Sequence, residues 1–231
     1  MTARYAIYFA PAAQSPWWDF GSHWLGRDAC ANAFLVQPQL NHIAPDTFFE
    51  LTCEPRRYGF HATLKAPFRL TAGITLVHLQ DRLHTLAAVL KPVALGDMQA
   101  KVLSQFVAMV PTVSNDDLMA LASRCVRDFD GLRAPMTTQD LARRQPQRLD
   151  EREEALLHEF GYPYVLEKFR FHFTLSGPVS PPVAQQMMTE VTTPIAQLNA
   201  QHPLVLDRLC LFVQTAPGMP FQRIDDALLG G

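Results

Sequence analysis

The stretch YGFHATLKAPF, residues 58–68, and the stretch FRFHFTLSGPV, residues 169–179, contain nearly the same short motif. When they are aligned, His, Thr, Leu and Pro occur at four matching offsets, and the copies are 111 residues apart (from 61 to 172). Pro92 and Pro203, each placed before a short apolar run, keep the same offset. The sequence therefore predicts a strand–helix–strand unit that occurs twice, with no net insertion inside it.

The first copy alternates polar and apolar residues, as a strand with one buried face does. Side chains two residues apart on a strand point to the same side. On a strand near residues 58–70, His61, Thr63 and Lys65 would therefore share one face. The opposite face would be apolar and would pack under helices, with Phe60, Ala62 and Leu64.

The second copy shows the same alternation on a predicted strand near residues 168–177. One face would carry the polar side chains Lys168, Arg170, His172, Thr174 and Ser176, and the other would carry three phenylalanines and a leucine. If the two copies meet on their polar faces, two histidines and two threonines converge in one cleft.

The rest of the chain alternates strand-like and helix-like segments, which favours an α+β fold. We expect one bilobal, pseudo-twofold domain over residues 1–231, with an antiparallel sheet in each lobe, helices outside and a central cleft. A polar, helical connection over about residues 113–160 would separate the copies, and within it Thr137-x-x-Asp140 resembles a capping box for a helix that continues through LARR. Further strands are expected at 4–10, in a hairpin within 92–111 and at 204–215; helices are expected from Ser15, at 75–90, 115–129 and 149–160, and after Pro182.

Composition and charge exclude several classes of function. A formal net charge of −2 gives no general attraction to a polyanion, so long nucleic acid is not an expected partner. The four cysteines are scattered without a CxxC pair, which is typical of reduced thiols in a cytoplasmic protein. No segment approaches the roughly 18 apolar residues that a membrane helix needs, so no membrane partner is expected.

Two histidines and two threonines in one cleft suit displacement at phosphorus. A neutral imidazole can take a proton from an attacking hydroxyl while an imidazolium protonates the leaving oxygen. Threonine hydroxyls can donate hydrogen bonds to the non-bridging phosphate oxygens, and Lys65 and Arg170 could add positive charge. The chain has eight histidines, and His61 and His172 alone have Thr or Ser two positions later.

A metal site is the competing interpretation of paired histidines. The sequence has no HExxH, no CxxC and no carboxylate within either motif, so neither a metal nor a cofactor is expected. Alone, a His-x-Thr triplet on a strand would most often be structural. The duplication of the triplet in matching contexts favours a functional pair.

The paired motifs resemble the 2H phosphoesterase superfamily, which includes cyclic nucleotide phosphodiesterases and RNA ligase-like proteins. The closer likeness is to the branch encoded beside carbon–phosphorus lyase genes, whose members are assigned to phosphonate metabolism. It covers nearly the whole chain, through RYAIYFAP, WLGRDA, RYGFHATLKAPF, GYPYVLEKFRFHFTLSG and LCLFVQTAPGMPF.

The resemblance implies a metal-independent site between two lobes, with His61 and His172 as the catalytic pair and Thr63 and Thr174 as phosphate-binding residues. It also implies contacts to the substrate from further residues, namely Tyr8, Arg57 and Arg170. The chain departs from the superfamily pattern after Gly177, where Pro178 stands in place of a basic residue. Whether Pro178 removes a contact to the substrate is a question that the sequence leaves open.

The expected function is a metal-independent phosphodiesterase that opens a small cyclic phosphate or cleaves a small diester. A ribose cyclic phosphate from phosphonate breakdown fits the resemblance. Two alternatives stay open: processing of RNA ends that carry a 2′,3′-cyclic phosphate, and binding of a phosphorylated metabolite without turnover. The sequence assigns neither the base and the acid nor the oligomeric state.

Overall fold

A computed structural model describes residues 3–138, 140–141 and 149–230. In this part of the chain, helices cover an antiparallel sheet, so the predicted α+β class is confirmed. The strands are β1 Arg4–Phe9, β2 Arg27–Asp28, β3 Ala33–Phe34, β4 Ala62–Phe68, β5 Val93–Ala94, β6 Met98–Leu103, β7 Phe106–Pro111, β8 Phe173–Pro178, β9 Val205–Leu206, β10 Arg208–Gln214 and β11 Gln222–Leu228.

The helices begin and end at the residue types that favour helix ends. Ser15 accepts a hydrogen bond from the backbone N–H of Trp18, and Pro16 is the first residue of the helix that was predicted from Ser15. Asp150 and Glu153 form a capping box, and Gly161 ends that helix in the left-handed conformation. The helices are α1 Pro16–Leu25, α2 Pro45–Leu51, α3 Cys53–Arg56, α4 Leu76–Val89, α5 Asp116–Asp128, α6 Glu151–Phe160 and α7 Pro181–Gln201.

Seven strands form one sheet in the order β11-β10-β1-β4-β8-β7-β6. A single residue pair, Ala62 opposite Phe173, joins β4 to β8 and divides the sheet into two parts. A small separate ladder pairs β5 with β9, where Ala94 lies opposite Val205. Both pairs join residues 111 positions apart, which is the spacing of the repeat, so equivalent residues of the two copies lie opposite each other in both ladders.

The chain crosses between the two parts of the sheet after each motif. Helix α4 packs on β10 and β11, beside β4, and the chain then enters β6 and β7, beside β8. Helix α7 packs on β6 and β7, and the chain then returns to β10 and β11. Each part of the sheet therefore contains strands from both halves of the sequence.

The first strand separates two hydrophobic clusters. Ile7 and Phe9 belong to the main core, which includes the buried faces of α4 and α7. Tyr8 points to the other side of the sheet, into a smaller cluster that includes Trp18 and Phe212. This smaller cluster supports the side of the sheet that carries the motif histidines.

Several predicted boundaries differ from the observed ones. The second motif strand begins at Phe173 rather than near 168, because residues Leu166–Lys168 form a 3-10 turn. The hairpin predicted within residues 92–111 is confirmed, and it turns between Leu103 and Phe106, with Ser104 at a φ of 54°. The sequence prediction also missed α2, α3 and β11.

The polar connection contains α5 and α6, as predicted. The predicted capping box is confirmed: the Thr137 N–H donates to the Asp140 carboxylate at 2.9 Å, and the Asp140 N–H donates to the Thr137 hydroxyl at 3.2 Å. Residues 142–148, where that predicted helix continues, lie outside the described part. No helix in the described residues is long and apolar enough to cross a membrane. That residues 1–231 form one two-lobed domain stays a prediction.

Candidate functional site

The pair Ala62–Phe173 brings the two motifs together. Both side chains are buried in the main core. Residues directly opposite each other on antiparallel strands share a face, and their neighbours take the other face. The antiparallel register therefore directs His61 toward Thr174 and Thr63 toward His172. The four polar side chains lie together, on the side of the sheet opposite the main core.

Both imidazoles are held by the backbone in the same way. Nδ1 of His61 donates to the carbonyl of Gly59 at 2.9 Å, and Nδ1 of His172 donates to the carbonyl of Arg170 at 2.7 Å. Since a carbonyl only accepts, the proton of each neutral ring is on Nδ1, and Nε2 is the basic nitrogen. The hydroxyl of Thr63 lies 3.3 Å from Nε2 of His61 and can donate to it.

Burial keeps both histidines neutral near pH 7. It lowers the pKa of His61 to about 4, against the opposing effect of the hydrogen bond to Gly59. The charge of His172 lowers the pKa of His61 further, so the two rings are close enough for their charges to repel. The pKa of His172 is also lowered, by burial and then by the Arg170 charge, against the hydrogen bond to the Arg170 carbonyl. An entering phosphate would favour the protonated form of either ring.

Tyr8 lies directly against His61. The two rings stack with centroids 3.8 Å apart and planes 26° apart, and Tyr8 is paired with Thr63 across β1 and β4. This contact fixes the plane of the His61 imidazole. The structure thus places Tyr8 beside the motif, while its role as a substrate contact stays a prediction.

Two further aromatic residues flank the histidines and were missed from the sequence. The ring of Tyr58 lies 6.1 Å from that of His61 and stacks on Phe221 at 5.1 Å. On the other side, the ring of Phe106 lies 5.7 Å from that of His172. Tyr58 lies inside the first motif stretch, but Phe106 comes from a hairpin whose place beside β8 no local pattern reveals.

The two predicted arginines differ in their environment. Arg57 forms an ion pair with Glu54 at 3.5 Å, and both side chains are exposed. Arg170 is exposed and close enough to His172 for its charge to lower the pKa of that ring. Within the described ranges, no carboxylate forms an ion pair with Arg170. Arg170 is therefore the better placed of the two to bind an anion near the motif.

The prediction that Lys65 shares the face of His61 and Thr63 is wrong. Tyr8 is opposite Thr63, but the next residue of β1, Ile7, is opposite Lys65, so β4 contains an extra residue there. This bulge turns Lys65 to the core side, where it is 2% exposed. Its ammonium group donates to the carbonyl of Val126 at 3.0 Å and to Asp130 at 2.7 Å.

The predicted polar face also fails at Ser176 in the second copy. Ser176 is 1% exposed, and its hydroxyl bonds to the backbone rather than facing a cleft. Pro178, where the superfamily pattern has a basic residue, pairs with Phe106 at the end of β8. By contrast, the apolar face of this copy is confirmed, since Phe171, Phe173 and Leu175 are buried in the main core.

Metal-ligating residues do not cluster around the motifs. Over the described residues, no group of three or more His, Cys, Asp or Glu side chains could hold a metal ion. The polar groups that meet at the site are two imidazoles and two hydroxyls, with Arg170 at its edge. Such a set can transfer protons and bind an anion.

The fold and site define an α+β protein with paired His-x-Thr motifs at the junction of two sheet halves. Residues 63–222 match the family model described as "Protein of unknown function (DUF1045)", and the chain belongs to this family. The matched segment begins two residues after His61, and it includes Thr63, His172 and Thr174.

Two curated relatives are similar over almost the whole chain, and both are named "Ribose 1,5-bisphosphate phosphokinase PhnN". The protein from Janthinobacterium sp. (strain Marseille) is 39% identical over 227 residues, which cover 96% of this chain and 50% of that protein. The protein from Laribacter hongkongensis (strain HLHK9) is 33% identical over 225 residues, which cover 95% of this chain and 50% of that protein. The chain thus spans about half the length of these relatives.

Among solved structures, E. coli LigT complexed with 3′-AMP is similar to the whole chain. The match covers 100% of both chains, with a TM-score of 0.41 and 15% identity.

Proposed function

We propose that the chain is a metal-independent phosphodiesterase of the 2H type that opens a small cyclic phosphate or cleaves a small diester. The observation that carries the proposal is the antiparallel register at Ala62 and Phe173, which brings both His-x-Thr motifs onto one side of the sheet. Matching hydrogen bonds from Nδ1 support the proposal, because they leave Nε2 of each ring as the basic nitrogen that could exchange protons.

The proposed reaction is hydrolysis with two proton transfers. One imidazole takes a proton from water as the oxygen attacks phosphorus, and the other, protonated, gives a proton to the oxygen that leaves. The P–O bond to the leaving oxygen breaks, and a phosphomonoester and a free hydroxyl remain. Thr63 and Thr174 donate hydrogen bonds to the non-bridging oxygens, which carry negative charge in the transition state.

The substrate we propose is a phosphorylated ribose that carries a cyclic phosphate. Ring opening of such a molecule releases a ribose phosphate monoester, the class of compound in the name of the two relatives. The chain contains no Gly-Lys dipeptide and hence no P-loop of the GxxxxGK[ST] type, so its own motifs do not account for a phosphokinase. We therefore carry over from that name the substrate class and not the kinase reaction.

A substrate panel tests the proposal. Ribose cyclic phosphates with and without a second phosphate, cyclic mononucleotides and oligoribonucleotides with a 2′,3′-cyclic end are incubated with the protein, with and without EDTA. We expect turnover of the ribose cyclic phosphates, unchanged by EDTA, with a bell-shaped dependence of kcat/KM on pH. The double variant His61→Ala/His172→Ala is the control for contaminating activity.

Other outcomes would favour the alternatives. Preference for the oligoribonucleotides would indicate RNA end processing. Binding of the phosphorylated sugars without turnover would indicate a binding protein, and in that case His61→Ala should leave the affinity nearly unchanged. Activity that disappears with EDTA and returns with a divalent cation would contradict the metal-independent mechanism.

A further inference from the structure

Both motif strands change register immediately after the motif threonine. Tyr5 is paired with Phe68, and Tyr8 is paired with Thr63. The chain therefore advances three residues along β1 but five residues along β4 between these two pairs. In the other copy, Phe106 is paired with Pro178, and Ala108 is paired with Thr174. Between these pairs the chain advances two residues along β7 but four residues along β8. Each motif strand therefore contains two more residues than its neighbour over the segment that follows the threonine.

Bulges of this kind bend a strand and re-aim the side chains next to them, and they are frequent beside active sites. Here the bulges end the regular pairing just where each His-x-Thr motif leaves the ladder. Any change in a bulge would rotate the threonine and, through the pleat, the histidine two residues before it. The geometry of the site thus depends on what holds the two irregular segments.

In the second copy, the side chain of Ser176 holds the bulge. Its hydroxyl accepts a hydrogen bond from the backbone N–H of Val107 at 2.9 Å, so it replaces a carbonyl of β8 in the ladder. The same hydroxyl donates to the carbonyl of Gly177 at 2.8 Å. The Ser176 side chain therefore satisfies backbone groups that the irregular register leaves unpaired.

In the first copy, the residue at the same repeat position is Lys65, since 65 and 176 differ by 111. Its buried ammonium group reaches the end of α5, where it bonds to the carbonyl of Val126 and to Asp130. The pair anchors the bulged segment of β4 to the helix that covers it. Asp130 also accepts from Arg133 at 2.9 Å, so its carboxylate has a second cationic partner.

We propose that Lys65 and Ser176 are positioning residues, each fixing the bulge that aims the His-x-Thr motif of its own copy. The proposal rests on the proposed function, because it assigns these buried side chains to the same two-histidine site. The two residues occupy the same position of the repeat but bond differently. The hydroxyl of Ser176 bonds to the neighbouring strand, and the ammonium group of Lys65 bonds to groups at the end of a helix. Neither residue touches the substrate.

The test compares Lys65→Met and Ser176→Ala with the parent by NMR at pH 7. Tyr8 stacks on His61, and Phe106 lies beside His172, so the ring protons of each histidine report its own aromatic neighbour. We expect Lys65→Met to move the His61 ring signals and leave those of His172 in place. Ser176→Ala should do the reverse. This crossed pattern does not require turnover, so it stays informative even if the proposed function fails.

Kinetics on a substrate that the parent turns over provide the second readout. A displacement of about 1 Å at a reacting group can cost on the order of 100-fold in rate. We expect kcat to fall by roughly 10-fold to 100-fold in either variant, with KM changed by less than about 3-fold. Ser176→Thr, which keeps the hydroxyl, should restore most of the rate.

Two exposed residues provide matched controls, Lys101→Met on β6 and Ser114→Ala before α5, and both should behave like the parent. Assays are run well below each variant's melting temperature. If Lys65→Met does not fold, Ser176→Ala and Ser176→Thr alone decide the proposal. Unchanged ring signals and kcat in a folded variant, or equal movement of both histidines, would overturn it.

Discussion

The two copies of the motif share their backbone geometry but differ in their surroundings. In both, Nδ1 of the histidine donates to the carbonyl two residues earlier. His61, however, is stacked against Tyr8, and burial lowers its pKa to about 4. His172 lies beside Phe106 and the charge of Arg170. Symmetry thus sets where the two imidazoles point, and the unsymmetrical neighbours set how readily each is protonated, so one site can offer two different proton-transfer groups.

Removal of either imidazole should have the largest effect on activity. Both His61→Ala and His172→Ala should lower kcat by on the order of 10²–10⁴, the usual contribution of a general acid or base. Steady-state kinetics on the best substrate of the panel measure the loss. His158→Ala, which alters an exposed histidine on α6, should retain the parent rate. A loss confined to one of the two motif histidines would contradict the paired mechanism.

Removal of the threonine hydroxyls should have the next largest effect. Thr63→Val and Thr174→Val keep the shape of the side chain and remove the donor, so we expect kcat to fall by about 10-fold to 100-fold. The Thr63 variant should also change the pH profile, since this hydroxyl lies 3.3 Å from Nε2 of His61. The exposed helical variant Thr189→Val is the control. Equal pH profiles for both variants would show that the Thr63–His61 contact does not affect protonation.

The pH dependence of the free energy of unfolding tests the environment of His61 without any substrate. The pKa of His61 is about 4 in the folded chain and about 6.5 in the unfolded chain, so between these values the unfolded state binds more protons. The free energy of unfolding should therefore fall as the pH drops below about 6.5. Urea titrations at pH 7 and pH 5 should show the parent losing about 2 kcal/mol more than His61→Gln. A parent and a variant with the same pH dependence would show that His61 is not the group responsible.

The smallest effect is expected from the arginines. Arg170→Gln should raise KM by roughly 3-fold to 10-fold, because it removes an exposed cation close to His172 that no described carboxylate neutralises. Arg57→Gln should raise KM less, since Arg57 already pairs with Glu54. Measurements at low and high salt would support the assignment if the difference shrinks as salt increases. A larger effect at Arg57 would reverse the ranking.

Local patterns predicted much of this fold correctly. The helix start marked by Ser15 and the helix end marked by Gly161 occur where capping chemistry places them. The equal spacing of the repeat predicted that the motifs belong together. The structure agrees, because Ala62 lies opposite Phe173, which is the equivalent residue of the second copy. These features depend on residues close in sequence or on an exact repeat, so the chain itself displays them.

The errors arise where tertiary contacts override a local pattern. Period-two alternation placed Lys65 in the cleft, but an extra residue in β4 turned it into the core beside Asp130. Phe106 approaches His172 because of a crossover to the other part of the sheet, which no local pattern displays. Bulges and crossovers are decided by packing between distant segments, and a single sequence does not reveal them.

The crossovers also affect how the molecule folds. Strands β6 and β7 complete the part of the sheet that contains the second motif, and β10 and β11 complete the part that contains the first. A fragment cut between the repeats would therefore leave the edge of β8 or of β1 without its partner strand. Because most strand pairings join residues far apart in sequence, folding should be slow and should proceed without a stable half-molecule. We therefore expect the exchange of strands that brings the two histidines together also to make the two repeats unfold as one cooperative unit.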